Sequence, residues 1–189
     1  DKYTDKNKIN IIVCFHPETN QSKLYNIKNL KVMIKFLNKI NQNIIFTYPN
    51  ADEGYLDFIK IINRNLRKKN SHIIQSSGIK LYHELLSCSD LLVGNSSSGI
   101  IESCSFNIPF INLGNRQKGR FAPMNVINSS FNINKISKAL LVPTNKFEYL
   151  ECLAVKEIIH KNNLEEIPEK KGSLDVLAQY ITGVACSVS

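Results

Sequence analysis

No run of this sequence approaches the roughly 20 consecutive apolar residues that a bilayer-crossing helix needs, so no membrane span is expected. Its opening, DKYTDKNK, is polar, starts on Asp1 instead of Met, and lacks the apolar core of a signal peptide. Such a start reads as a piece of something longer. The five cysteines, Cys14, Cys88, Cys104, Cys152 and Cys186, include no C-x-x-C pair. An odd number of scattered thiols, several inside apolar runs, argues against a disulfide framework and for a reducing, cytoplasmic setting. No Cys/His cluster has zinc-ligand spacing, so neither a metal nor another cofactor is expected. Zinc-finger and aromatic RNA-binding signatures are missing too.

Against these absences stands an excess of positive charge. The 189 residues carry 24 Lys and Arg against 16 Asp and Glu, a formal net charge of +8. That balance favours an anionic ligand without naming it. Nucleic acid is the obvious rival, but the lysines are dispersed and the one tight cluster is 64–69, which a solvated helix face also explains. No nucleic-acid partner is expected. At 43% hydrophobic and 21% charged, the composition is that of an ordinary globular domain.

Apolar runs and helical periodicities alternate along the chain. Residues 8–15 (KINIIVCF) form a β-branched run that ends at His16-Pro17 and reads as a buried strand. Residues 27–40 carry apolar positions at helical spacing. Strands at 43–48 and 71–75 alternate with helices at 55–69 and 80–89. A strand at 91–94 leads through Asn95-Ser96-Ser97-Ser98-Gly99 into a helix to about 106, and 109–113 is a fifth strand. Repeated strand–helix units predict a doubly wound, parallel α/β sheet of Rossmann-like type over residues 8–142. Helices at 135–141, 147–161 and 173–182 predict a helical segment over 143–189.

In such sheets ligands collect at the carboxyl ends of the strands. Four polar groups fall there. Gly94–Gly99 runs from a strand through small residues directly into a helix, whose free amides suit an anion; a plain serine cap is the competing reading. Glu102 follows within that helix, where its carboxylate can hold ribose hydroxyls or simply complement a helix start. Arg116, Lys118 and Arg120 suit a diphosphate, or form a solvated basic turn. His16 is the one histidine at a strand end, able to pass protons or to serve structurally. Asn50 and Asp52 lie in the loop after the second strand.

Three strings resemble one family. VGNSSSGIIESCSFNIPFINLGNRQKGR (93–120), with FHPET (15–19) and YPNADEG (48–54) in matching order, is similar to hydrolysing UDP-N-acetylglucosamine 2-epimerases of the sialic-acid branch. The resemblance covers residues 8–142. It implies the C-terminal, UDP-holding half of a two-domain enzyme built like the B-type glycosyltransferases. It implies His16 as the cleft histidine near the diphosphate, Ser96 and Ser97 as phosphate ligands, Glu102 as the ribose ligand and Arg116 as the arginine of the basic loop. Asn50 and Asp52 would face the ligand, and Tyr82 falls near a position that packs on uracil.

The implied reaction eliminates UDP to a glycal and adds water with inversion at C2, giving N-acetylmannosamine. The implied partners are the UDP-sugar, an N-terminal domain carrying the catalytic carboxylates, and a second copy in a homo-oligomer. By itself the chain is expected to bind UDP and to turn over little substrate. Three alternatives stay open: the same chemistry on a UDP-diacetamido-trideoxy sugar of the legionaminic pathway, a glycosyltransferase half, and a non-catalytic UDP-sugar-binding module. The family's closing glycine turn has no counterpart between 147 and 189.

Overall fold

The computed structural model describes residues 2–123 and 125–140. Six strands form one sheet in the order β3-β2-β1-β4-β5-β6. They are β1 (Asn10–Cys14), β2 (Asn43–Thr47), β3 (Ser71–Ile74), β4 (Leu91–Gly94), β5 (Phe110–Leu113) and β6 (Val126–Ser129), and every pair is parallel. The helices are α1 (Lys23–Leu37), α2 (Tyr55–Asn65), α3 (Gly78–Ser87), α4 (Ser97–Ile101) and α5 (Ile133–Leu140). The doubly wound α/β expectation therefore holds.

Strand alternation divides the core into two layers. Ile11 and Val13 of β1, Ile44 and Phe46 of β2 and Leu91 and Val93 of β4 join Leu30, Met33 and Leu37 of α1 and Phe58 and Ile62 of α2. Their neighbours Ile12, Cys14, Ile45 and Leu92 point the other way, onto Leu85 and Leu86 of α3 and Ile100 of α4. Successive strand side chains face opposite sides of a sheet, so continuous apolar runs are what a sheet covered on both faces requires. Each fully buried Ile, Leu or Phe contributes about 1.5–3 kcal/mol relative to exposure.

Several boundaries differ from expectation. The helix expected at 27–40 starts at Lys23, because the Ser22 hydroxyl accepts from the Tyr25 amide and caps it. The one expected at 55–69 ends at Asn65, and a 3-10 turn at Lys68–Asn70 leads into β3. The helix expected to reach about 106 closes at Ile101, and turns occupy 102–107. Ser103 there donates its hydroxyl proton to the Gly99 carbonyl, and Asn107 takes a left-handed φ of 51°. Strand β6 was not expected. Its Val-Ile-Asn-Ser is short and half-exposed, with no apolar run to announce it, and pairing with β5 defines it. The helix expected at 135–141 runs from Ile133. The segments at 147–161 and 173–182, like all of 143–189, lie outside the described residues.

Candidate nucleotide-binding site

The chain leaves β1 toward β2 and β3 on one side and returns on the other side as β4. Cys14, the last residue of β1, is in register with Thr47 of β2 and with Gly94 of β4. The loops following these three strands consequently open at the same level, at the point where strand order reverses, where sheets of this class leave a crevice. Gly94 is obligatory there. A Cβ on it would overlap the Cys14 carbonyl oxygen, and its φ is +150°.

Asn95, fully buried, ties the two central loops together. Its side chain accepts from the His16 amide at 2.8 Å and donates to the His16 carbonyl at 2.9 Å. Its own carbonyl accepts from Arg116 Nη1 at 3.2 Å and Gln117 Nε2 at 2.8 Å. One asparagine thus fixes the loops after β1, β4 and β5 against each other.

His16 is 5% exposed, and its Nδ1 accepts from the Asn50 amide at 3.1 Å. Accepting at Nδ1 places the proton of the neutral ring on Nε2. Burial, reinforced by the positive charge of Arg116 and opposed by Asp52, holds the imidazole down to about 4. The ring is therefore uncharged at neutral pH and offers one N–H. Arg116 Nη2 lies 3.5 Å from Asp52 Oδ2. His16, Asn50, Asp52 and Arg116, expected from sequence to share a site, form one contact group.

The serines and Glu102 form a second group, joined to the first through Asn95. Ser96 caps α4: its hydroxyl accepts from the Ser98 amide at 3.3 Å and the Ser98 hydroxyl at 3.0 Å. Tyr82 Oη lies 2.7 Å from Ser98 Oγ, so this phenol is engaged with the serine turn. Burial pushes it far above its ordinary range. Ser97 is half-buried, and among the described residues its hydroxyl has no hydrogen-bond partner. Glu102 is the C-cap of α4, and its Oε2 is 2.8 Å from His83 Nε2.

Sequence reasoning passed over Asn95, Gln117, Glu18 and His83. Asn95 was visible as the first residue after a strand-end glycine, but only the fold shows which loops it joins. Glu18 is 3% exposed, clamped by Asn26 through bonds of 2.9 and 3.0 Å, with Oε1 lacking a hydrogen-bond partner. Burial raises its carboxyl above the usual range, and Arg116 opposes that shift. A cleft of about 280 Å3 beside it is lined by Pro17, Glu18, Thr19, Glu53 and Asp57. A second cleft of about 250 Å3, lined by Leu37, Ile40, Ile44 and Arg67, lies at the opposite edge of the sheet, away from these groups. Among the described residues no group of three or more His, Cys, Asp or Glu is placed to hold a metal ion. No described helix is long and apolar enough to cross a membrane.

Strand order defines a doubly wound α/β domain of Rossmann-like type, with polar loops gathered where that order reverses. The family model described as UDP-N-acetylglucosamine 2-epimerase matches residues 1–159, and the chain belongs to that family. It is 40% identical over 154 residues to a GDP/UDP-N,N'-diacetylbacillosamine 2-epimerase (hydrolyzing) of Campylobacter jejuni, covering 77% of this chain and 36% of that protein. It is 31% identical over 150 residues to the UDP-N,N'-diacetylbacillosamine 2-epimerase (hydrolyzing) of Legionella pneumophila, covering 78% and 40%. The chain thus spans about two fifths of the length of these relatives. Among solved structures, UDP-GlcNAc 2-epimerase from Neisseria meningitidis bound to UDP-GlcNAc shares the fold, with a TM-score of 0.63 at 17% identity over 87% of this chain and 47% of that one. The enzyme from Methanocaldococcus jannaschii does so with a TM-score of 0.58 at 18% identity, over 76% and 41%.

Proposed function

We propose that this chain is the UDP-holding, C-terminal half of a hydrolysing UDP-sugar 2-epimerase, over residues 8–142, with UDP-N-acetylglucosamine as substrate. The overall change consumes one water and yields N-acetylmannosamine and UDP. Elimination takes the C2 proton and breaks the C1–O bond to UDP; water then adds its hydroxyl to C1 and a proton to C2 with inversion.

The observation that carries this reading is the convergence of a neutral His16, Arg116 and the Ser96–Ser98 turn on one strand-order reversal, in a chain of this family. In the proposal the free Ser97 hydroxyl, the His16 Nε2–H and the Arg116 guanidinium hold the diphosphate. They stabilise the charge that grows on it as the C1–O bond breaks. His16, being uncharged with its proton on Nε2, contributes as a hydrogen-bond donor and not as an imidazolium acid. Glu102 accepts from the ribose hydroxyls, and Asn50 and Asp52 keep His16 and Arg116 in place. The base that removes the C2 proton is assigned to an N-terminal domain, in the part of the relatives' length that this chain does not span.

Exposed apolar side chains support a partner at that edge. Leu24, Leu56 and Ile79 are each the second residue of the helix that follows β1, β2 or β3, and they are 81%, 55% and 77% exposed. They stand at the starts of helices on the carboxyl edge of the sheet, the edge that carries the polar loops, and suit burial against the second domain.

The test is calorimetric titration of UDP into this chain, alongside Ser97→Ala and Glu102→Ala. Binding that both substitutions weaken supports the pocket; equal binding by all three proteins would overturn it. A second reading, the same chemistry on a UDP-diacetamido-trideoxy sugar, is favoured by the names of the Campylobacter and Legionella relatives. Comparing the sugars released from the two UDP-sugars by the complete enzyme decides between them.

A further inference from the structure

Helix α4 is only five residues long, so Glu102 sits at its very end, followed by turns and not by a continuing helix. A glutamate there has three rotatable bonds, and holding it in one orientation costs conformational entropy. Two consecutive residues of α3 reach across to this short element. Tyr82 meets Ser98 in its first turn at 2.7 Å, and His83 meets Glu102 at its end at 2.8 Å. The His83 ring is itself confined, with its centroid 5.2 Å from that of Phe106 and 6.3 Å from that of Tyr82.

A carboxylate can only accept, so His83 donates through Nε2–H to Oε2. Each carboxylate oxygen has two lone-pair directions. The bond to His83 therefore leaves Oε1 entirely available and half of Oε2. Side chains of the pair are 44% and 31% exposed, and ion pairs this open to water add little to stability. What the contact does supply is direction, because it fixes which way the carboxylate faces.

We propose that His83 is a positioning residue for Glu102, aiming its carboxylate at the paired hydroxyls of the nucleotide ribose. This rests on the reading of Glu102 as the ribose ligand. His83 touches no reacting atom; it acts through Glu102 and sets how strongly the site prefers a ribonucleotide to one without those hydroxyls.

The test is calorimetric titration of the protein with UDP and with 2′,3′-dideoxy-UDP, for wild type, Glu102→Ala, His83→Leu and His83→Gln. His83→Leu is expected to weaken UDP about three- to tenfold, the scale of one hydrogen bond, and to leave the dideoxy ligand unchanged. Gln places an amide N–H near the position of Nε2, so His83→Gln restores most of the loss. Equal weakening of both ligands by His83→Leu, or none, overturns the role of His83, while a selective loss in Glu102→Ala leaves the ribose reading standing. If Glu102→Ala weakens both ligands alike, the ribose reading falls and His83 falls with it. Should the leucine variant not fold, His83→Asn, whose amide is too short to reach Oε2, takes its place with the same expected loss.

Discussion

Asn95 and His16 are bonded to each other twice, through the Asn95 side chain and the His16 main chain, at 2.8 and 2.9 Å. The pair spans the reversal of strand order, with one residue just past β1 and the other just past β4. A side-chain amide here does the work of an additional rung of strand pairing, but between two loops. It has the donor and acceptor needed to satisfy both main-chain groups of a buried residue, which few side chains offer.

Asn95→Ala would leave the buried amide and carbonyl of His16 without partners. A loss of about 3 kcal/mol in unfolding free energy is expected from two such groups. Urea denaturation at neutral pH measures it. A loss below about 1 kcal/mol would mean that the loops are held together by other contacts.

His16 sets a pH dependence of known sign. Its folded value, about 4, lies below the ordinary histidine value of 6.5, so the unfolded chain binds more protons between these limits. Stability is therefore greatest above the ordinary value and falls as pH drops toward 4. Linkage gives a loss of roughly 2 kcal/mol between pH 7 and pH 5. Glu18, raised in the folded state, contributes in the opposite direction as its carboxyl protonates. Denaturation of wild type and His16→Gln at both pH values isolates the histidine: the difference between them should carry the slope, and parallel behaviour would reject it.

Removing the Arg116 charge should move His16 upward, since that charge depresses it after burial has. In Arg116→Gln the imidazole is expected to titrate at higher pH than in wild type, though still below an exposed histidine. NMR titration of the ring nitrogens reads the shift directly. The same spectra should show the neutral ring protonated on Nε2, given the Asn50 amide at Nδ1.

Adjacent serines should divide stability from binding. Ser96→Ala removes the α4 cap and is expected to cost about 1 kcal/mol. Ser97→Ala removes a hydroxyl that no described residue engages, so its melting temperature should match wild type while UDP binding weakens. Thermal denaturation with and without UDP separates the two, and a cost to stability from Ser97→Ala would contradict the division.

Much of the fold could be read from local pattern. Strand β4 ends where the run Leu91-Leu92-Val93-Gly94 ends, because four consecutive apolar or small residues before a serine turn allow little else. The convergence of His16, Asn50, Asp52 and Arg116 was likewise expected, since each follows a strand and parallel strands share a carboxyl edge. Local pattern failed where long-range pairing supplies the reason for a structure. Strand β6 has no apolar run, and α4 stops after five residues although the sequence beyond it is not a helix breaker. Nothing in the surroundings of His83 along the chain marks it, since its partner lies 19 residues away.

By itself, then, the sequence determined the alternation of elements, the two-sided burial of the strands and the set of polar loops at one edge. Apolar periodicity, glycine placement and capping act within a few residues and are written locally. Tertiary structure decided the pairings: that Asn95 locks His16, that Asn50 fixes its tautomer, that burial and Arg116 keep its ring neutral, and that Glu102 is held by His83. Such properties depend on distance and on exclusion of water between residues far apart in the chain, and neither quantity exists until the sheet has assembled.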